Sequence, residues 1–410
     1  MDLGNINSRL LIILILFTLI SGFFAFNGFL EWDEGSFLLN AEHFSGQEGN
    51  FEESRPAAIS FIIAGIWTIT GDSVLAARLA VMMFGIASIL VFYRLAEREF
   101  DDPVLPTAFF GLAPLMLHWS ARVYTDVPAL LFILGSLYMY RKRNFLSAGI
   151  LLSVAATFRY LFFIFALGMA LAFVFDNRRG IINYIGGGFI GALPFMGYSL
   201  VEYGSPFSKV VMYVTRVTKW SSSGMFAATI PSIMSMISVL STLLPATAYG
   251  WRDSPIVEKS MLLSYTLFML LFSGNSFQRY WLASLPFVIL IAYRGLDRNL
   301  FIAVSSLMIL TSGIAVTANY NTHNECGEPL HQALDYAEGL EGSIVTDNWA
   351  IAGFELDRSV YSPWKSLQDL NAEENASFAV MSSEKDYKIV KSFENSCINY
   401  RIYNLSIPSN

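Results

Sequence analysis

The chain has 410 residues, of which 54% are hydrophobic, 15% aromatic and only 14% charged, with a mean hydropathy of +0.49. Soluble domains carry about a quarter charged residues, so the composition excludes an ordinary soluble globule and indicates an integral membrane protein. The net charge of −7 leaves no general basic surface and argues against DNA or RNA as a partner.

A membrane-crossing helix needs about 20 mostly apolar residues, fewer when its ends snorkel. By that rule the spans expected are 9–27, 76–95, 104–119, 125–140, 145–158, 160–175, 181–200, 226–248, 258–273, 280–294 and 299–318, about eleven in all. Residues 10–26, preceded by Arg9, have the length of a signal-peptide apolar region. No small-residue cleavage pattern follows, and the stretch reads as a retained first span. Residues 56–70 are apolar but short, and counting them as a span would invert every later loop. Residues 36–72 therefore read as juxtamembrane helices at the outer interface, with a re-entrant hairpin as an alternative of the same topological consequence.

Lys and Arg in short loops mark the cytoplasmic side. Arg9, Arg94 and Arg98, Arg141-Lys142-Arg143, Arg178-Arg179, Arg252 with Lys259, and Arg294 with Arg298 all fall on one side under this count. The stretch Glu31-Trp32-Asp33-Glu34-Gly35, the loop around 202–225 and the C-terminal segment then face outside. The expectation is a multi-pass integral membrane protein, in the plasma membrane if the source is prokaryotic.

From about Asn319 the chain turns polar. Short β-type runs at 342–346, 377–381 and 400–405 alternate with helical stretches such as 330–339, which suggests a small extracytoplasmic α/β domain over 319–410. It would follow a transmembrane domain over 1–318 whose outer loop, 28–75, holds the juxtamembrane helices. Asn375-Ala376-Ser377 and Asn404-Leu405-Ser406 fit the N-glycosylation pattern, which has meaning only outside and in a host with that machinery. Cys326 and Cys397 both lie in this segment. They form a disulfide if it faces an oxidising compartment, and are two small packed residues otherwise.

Ionisable groups beside a bilayer are costly unless they face water, protein or substrate. Asp33 and Glu34 directly after the first span are accordingly either a solvated turn or a site. With the orientation set, Arg55, Arg78, Arg122, Arg159, Arg216, Lys219 and Arg279 are left on the outer side, where few cations are expected. Each alone is explained by snorkelling to headgroups or by pairing with Asp or Glu; as a set they point to an anion. Guanidinium forks match phosphate oxygens, and carboxylates accept protons. That equipment at membrane level suits transfer from a lipid-linked phosphate donor. The rival from another class is a secondary transporter for an organic anion, which places such charges near mid-span on broken helices. Most of these cations sit instead at one mouth.

The order Trp32-Asp33-Glu34, Arg55-Pro56, Gly71 with Ala77-Arg78-Leu79, Ala121-Arg122 with Thr125-Asp126-Val127-Pro128, and Arg279-Tyr280 with Leu285-Pro286 resembles the GT-C superfamily of membrane glycosyltransferases. The likeness is greatest to the branch of the protein O-mannosyltransferases and the lipid A aminoarabinose transferases. It is strong over residues 10–160 and weaker to about 295. It implies an all-α polytopic membrane enzyme that inverts the anomeric centre of a polyprenyl-phosphate sugar. By the same likeness Asp33 is the catalytic base with Glu34 its companion, and Asp126 positions the acceptor or a metal. Arg55 stands for the basic residue of a Lys-Pro-Pro-like motif that meets the donor phosphate. Arg279-Tyr280 lies near the lipid-phosphate pocket, and Arg122 joins the phosphate-binding set. Arg78, Arg159, Arg216 and Lys219 are candidates for further donor or acceptor contacts.

The second proline of that motif is Ala57 here, and the sugar-recognition domains of eukaryotic protein mannosyltransferases are missing, so lipid, glycan and protein all stand as acceptors. No cofactor is specified. A divalent metal stays open, because Asp33, Glu34, Asp126, His43 and His118 have ligand chemistry but no diagnostic spacing. Trp32, Trp119 and Trp281 read as interfacial belt residues, with sugar stacking as the alternative.

Overall fold

The computed structural model describes residues 7–47, 51–220, 229–272, 277–356, 360–363, 367, 370–371 and 376–408, without the side chains of 216–220, 272 and 407–408. The first helices are α1 (Ser8–Phe26), α2 (Trp32–Phe44), α3 (Ala58–Thr70), α4 (Val74–Ala96), α5 (Val104–Gly111) and α6 (Pro114–Trp119). Then come α7 (Asp126–Arg141), α8 (Phe145–Phe158), α9 (Phe163–Phe175), α10 (Ile181–Tyr203), α11 (Ser208–Trp220) and α12 (Thr229–Leu240). The last are α13 (Leu243–Gly250), α14 (Ile256–Phe272), α15 (Leu285–Gly295), α16 (Arg298–Glu338) and α17 (Trp349–Glu355). The strands are β1 (Ser343–Thr346), β2 (Val360–Tyr361), β3 (Ala376–Met381), β4 (Tyr387–Glu394) and β5 (Asn399–Pro408). By packing, the chain divides into one unit of Met1–Ala25, Pro56–Ile59 and Arg78–Val316 and a second of Phe26–Arg55, Ser60–Ala77 and Thr317–Asn410.

Over the described residues every expected span coincides with a helix or a broken pair of helices; 226–228 and 273 lie outside them. Among the described residues four helices are long and apolar enough to cross a membrane: α1, α4, the Arg178–Tyr203 stretch ending in α10, and α16. The pair α12 and α13, bent by 82°, makes a fifth if taken as one span. The other expected spans are shorter or interrupted. The stretch 104–119 breaks into α5 and α6 at Ala113, because Pro114 lacks the N–H that would continue the ladder and opens a new helix instead. The stretch 280–294 starts as a 3-10 turn, Gln278–Ala283, before α15.

Within the first unit, α8 and α10 meet backbone to backbone. A Cβ built on Gly187 would lie 2.0 Å from the Leu146 carbonyl oxygen, and one on Gly191 2.5 Å from that of Ile150. The spacing of these glycines, four apart on one face, admits the close approach that lipid-embedded helices use in place of a hydrophobic drive. Elsewhere in this unit four charges close into a ring. Arg141, the last residue of α7, and Arg294, in the last turn of α15, both bond Glu99 and Glu258. Glu258 is fully buried in the first turn of α14. The signs suit the helix dipoles, with cations at C-termini and an anion at an N-terminus. Burial, then Glu258, pushes the Glu99 carboxyl up, against the pull of the two arginines.

In the second unit α2 and α3 are joined by Phe44 stacked on Phe61 at 3.9 Å and by the Ser60 hydroxyl donating to the Phe37 carbonyl at 2.8 Å. The sheet has the order β2-β1-β3-β5-β4. β1 runs parallel to both β2 and β3, with Val345 opposite Tyr361 and Ala379; β5 is antiparallel to both β3 and β4. Its core comprises Val345, Leu367, Leu370, Ala376, Ala379, Met381, Tyr403 and Leu405. Cys326 and Cys397 are disulfide-bonded, Cα to Cα 5.2 Å, which ties α16 to the turn between β4 and β5. The expected strands are found as β1, β3 and β5. The helix expected at 330–339 is the end of α16, which continues unbroken over 41 residues through Pro329. Asn375 lies outside the described residues, and Asn404 sits within β5, its side-chain oxygen accepting from the Ser406 amide at 2.9 Å.

Candidate active site

The candidate residues fall into two clusters, one in each unit. In the second unit Asp33 and Glu34 occupy the first turn of α2, so the stretch expected as a turn or a site is a helix N-terminus, where unsatisfied amides favour negative charge. Glu34 is fully buried, whereas the Asp33 side chain keeps 20% exposure and is ion-paired with Arg55. Arg55 is held from three sides. Its Nε donates to Glu52 at 3.5 Å, and its guanidinium lies 5.1 Å from the Trp32 ring and 5.5 Å from that of Phe37. Glu52 is fixed in turn: the Ser36 and Ser54 hydroxyls donate to its carboxylate at 3.1 and 2.8 Å, and its amide donates to the Asn40 side chain at 2.8 Å. The result is a partly exposed carboxylate paired with a guanidinium that Glu52 and two aromatic rings also contact. Sequence reasoning missed Glu52, Ser36 and Asn40; their only signal is polar residues amid the apolar flanks of one loop.

In the first unit Asp126 opens α7, and its Oδ2 accepts from Arg159 Nη1 at 2.5 Å. Arg159 stands at the break between α8 and the 3-10 turn Tyr160–Phe162, on extended backbone, with its guanidinium 4.5 Å from the Tyr280 ring. Next to it Arg279 lies 4.3 Å from the Tyr124 ring and 5.4 Å from that of Tyr280. Tyr280 is anchored by its carbonyl, which accepts from the Tyr265 hydroxyl at 2.5 Å. Arg279 and Arg122 are both buried, Arg122 completely. Arg78, also buried, donates to the Ala25 carbonyl at 3.1 Å and so satisfies an end of α1. The side chains of Arg216 and Lys219 lie outside those described.

One expectation about aromatic residues is corrected. Trp119 and Trp281 are buried and pack inside the protein instead of forming an interfacial belt; Trp32 alone of the three is half-buried. The histidines are packing residues: His43 stacks on Phe51 at 4.3 Å, and His118 is edge-on to Phe24 at 5.4 Å and to Trp119 at 4.6 Å. Among the described residues no three His, Cys, Asp or Glu side chains gather as a metal group.

Beside the Asp126 cluster, within the same unit, opens a cavity of about 880 Å³ lined by residues of α8, α9, α10 and α11. Its walls are apolar, with Leu152, Leu167, Phe189 and Val210 among them, and Arg159 is the only charged residue in its lining among those described. Leu167, Phe189 and Val210 are also exposed to the surroundings of the protein, so the apolar lining continues onto its outer surface.

Residues 54–197 match the family model of the dolichyl-phosphate-mannose-protein mannosyltransferases. The fold is shared with ArnT from Cupriavidus metallidurans in two crystal structures. The one bound to undecaprenyl phosphate has a TM-score of 0.69 at 14% identity, covering 96% of this chain and 97% of that one. The apo structure has a TM-score of 0.62 at 13% identity, covering 98% and 99%. Among curated protein sequences none matches.

The chain is thus similar to a mannosyltransferase family over residues 54–197 and shares its fold with ArnT. The matched stretch takes in Arg55, Arg78, Arg122, Asp126 and Arg159. It stops short of Asp33 and Glu34 on one side and of Arg279 and Tyr280 on the other, so the fold likeness alone spans the whole candidate set.

Proposed function

We propose that the enzyme transfers a sugar from a polyprenyl-phosphate donor to an acceptor hydroxyl, inverting the anomeric carbon, on the extracytoplasmic face of the membrane. One observation carries this reading: an apolar cavity of about 880 Å³ whose lining holds, among the described residues, a single cation, Arg159. A long prenyl chain needs apolar walls open to lipid, and its phosphate needs a cation where water is scarce. The ArnT whose fold this chain shares was crystallised with undecaprenyl phosphate, which agrees.

In the reaction Asp33 takes the proton of the acceptor hydroxyl as its oxygen attacks the anomeric carbon. The bond from that carbon to the donor phosphate breaks, and the electron pair leaves with the polyprenyl phosphate. Arg159, with Arg279 beside it, stabilises the charge that develops there, as preorganised cations do in a water-poor site. Asp126 holds Arg159 in place, Arg55 orients Asp33, and buried Arg122 supports the cationic wall. Eleven spans and an outer C-terminal domain over 319–410 complete the reading. The Cys326–Cys397 disulfide supports the outer placement, because such bonds persist in oxidising compartments. A secondary transporter is not favoured, since the matching family and fold are those of transferases.

The test is an assay of the purified protein in lipid with a panel of polyprenyl-phosphate hexoses and pentoses, following release of free polyprenyl phosphate. Wild type is expected to release it with one donor class, and Asp33→Asn to bind that donor without releasing it. Turnover by Asp33→Asn at the wild-type rate would remove Asp33 from its role.

A further inference from the structure

The C-terminal segment has so far no part in the reaction, yet one of its helices lies against the turn that carries Asp33, within the second unit. A Cβ built on Gly35 would lie 2.7 Å from the Ala350 carbonyl oxygen and 3.1 Å from the Ile351 amide nitrogen. Only glycine lets α17 rest its first turn directly on the first turn of α2. One residue before Ala350, the Trp349 ring meets Trp32 edge to face, centroids 5.8 Å apart at 89°. Trp32 is the ring that lies under the Arg55 guanidinium, and Arg55 is the partner of Asp33.

The sheet fixes where α17 begins. Asn348, the residue before α17, donates from its amide to the Thr346 hydroxyl at 3.1 Å and from its side chain to the Tyr400 hydroxyl at 2.7 Å. Asp347 accepts from the amide and hydroxyl of Ser382, at 3.1 and 2.5 Å. The ends of β1 and β3 and the start of β5 thus clamp the two residues that lead into Trp349. A helix held merely as core filling does not need this polar harness at its entry, and both tryptophans are only half-buried.

We infer that the C-terminal α/β segment acts as a positioning device for the reaction: Trp349 and the Ala350 backbone hold the first turn of α2 and, through Trp32 and Arg55, direct the Asp33 carboxylate. Trp349 is a positioning residue and touches no reacting atom. The inference rests on the reading of Asp33 as the base, and the experiment separates the two.

Full-length wild type, Trp349→Phe, Trp349→Leu and Asp33→Asn are compared in lipid by steady-state release of polyprenyl phosphate and by amide hydrogen exchange. A small displacement of a catalytic group costs rate far more than binding, so Trp349→Leu is expected to lower kcat about tenfold or more. Its donor KM stays within about twofold, which marks loss of an interaction that matters only in the transition state. Exchange over residues 32–36 rises in Trp349→Leu, while residues 377–381 keep their protection and so report an intact sheet. Trp349→Phe, which keeps an aromatic edge, retains most of the rate and the protection. Wild-type kcat in Trp349→Leu, or unchanged exchange over residues 32–36, overturns the inference. Turnover by Asp33→Asn removes the base assignment alone, and the exchange data still decide whether Trp349 holds α2.

Discussion

Two carboxylate–arginine pairs in this protein are built from the same parts. Asp33 and Asp126 each sit in the first turn of a helix, each is ion-paired with an arginine, and each arginine lies over aromatic rings. They differ in access. The Asp33 side chain is 20% exposed, whereas that of Asp126 is 2% exposed beside an Arg159 that is 13% exposed. A carboxylate that meets solvent can exchange a proton with an incoming hydroxyl. One sealed against a guanidinium instead fixes that cation at the cavity, because removing either partner would strand a buried charge. On the proposed reading the same local chemistry serves proton transfer in one place and architecture in the other.

That contrast is open to test. The largest effect is expected at the open pair: Asp33→Asn should lower turnover about 10² to 10⁴-fold, the usual worth of a general base, with little change in thermal stability. A parallel loss of stability would erase the distinction. At the sealed pair the order reverses. Asp126→Asn leaves Arg159 buried without its counter-charge and should destabilise the protein by about 3 kcal/mol in thermal or denaturant unfolding. Replacing both by leucine should regain stability without restoring donor binding.

Arg55→Lys keeps the charge but loses the fork and the stacking on Trp32. It should cost about tenfold in kcat and less than about 1 kcal/mol in stability. The smallest effect belongs to a pair in neither cluster. Arg94 and Glu97 are 43% and 42% exposed, and Arg94→Ala should change stability by no more than about 0.5 kcal/mol and leave turnover at the wild-type level.

Much of the fold was legible because membrane helices announce themselves by length and apolarity. Among the described residues of 8–318 the stretches named from the sequence coincide with helices, and β1, β3 and β5 lie where short β-branched and aromatic runs stand. What stayed hidden was pairing at a distance. Asp126 and Arg159 are 33 residues apart, and Arg294 reaches Glu99 across 195. No periodicity encodes such partners, so Arg141 and Arg294 read as loop cations that mark sidedness when the fold closes them into a ring with Glu99 and Glu258. β4 was missed because it is a sheet edge with few inward positions, exposed along most of its length, and shows no alternation. α17 was missed because seven residues are too few for a helical period to show. Arg159 stood among the minor candidates, and its place in the cavity lining depends on four helices that only the fold assembles.

The sheet also sets an order of events during synthesis. β5 follows β4 in the chain, yet it lies between β3 and β4 and, among the described residues, is the only strand paired with β4. As the chain emerges, β1, β2 and β3 can pair at once, while β4 must wait with both edges bare until residues 399–408 arrive and slide in beside it. A chain cut before residue 399 would keep β1 paired with β2 and β3 and leave the sheet without its interior strand. Quality control would meet an unzipped edge and a Cys326 whose partner hangs on an unanchored strand.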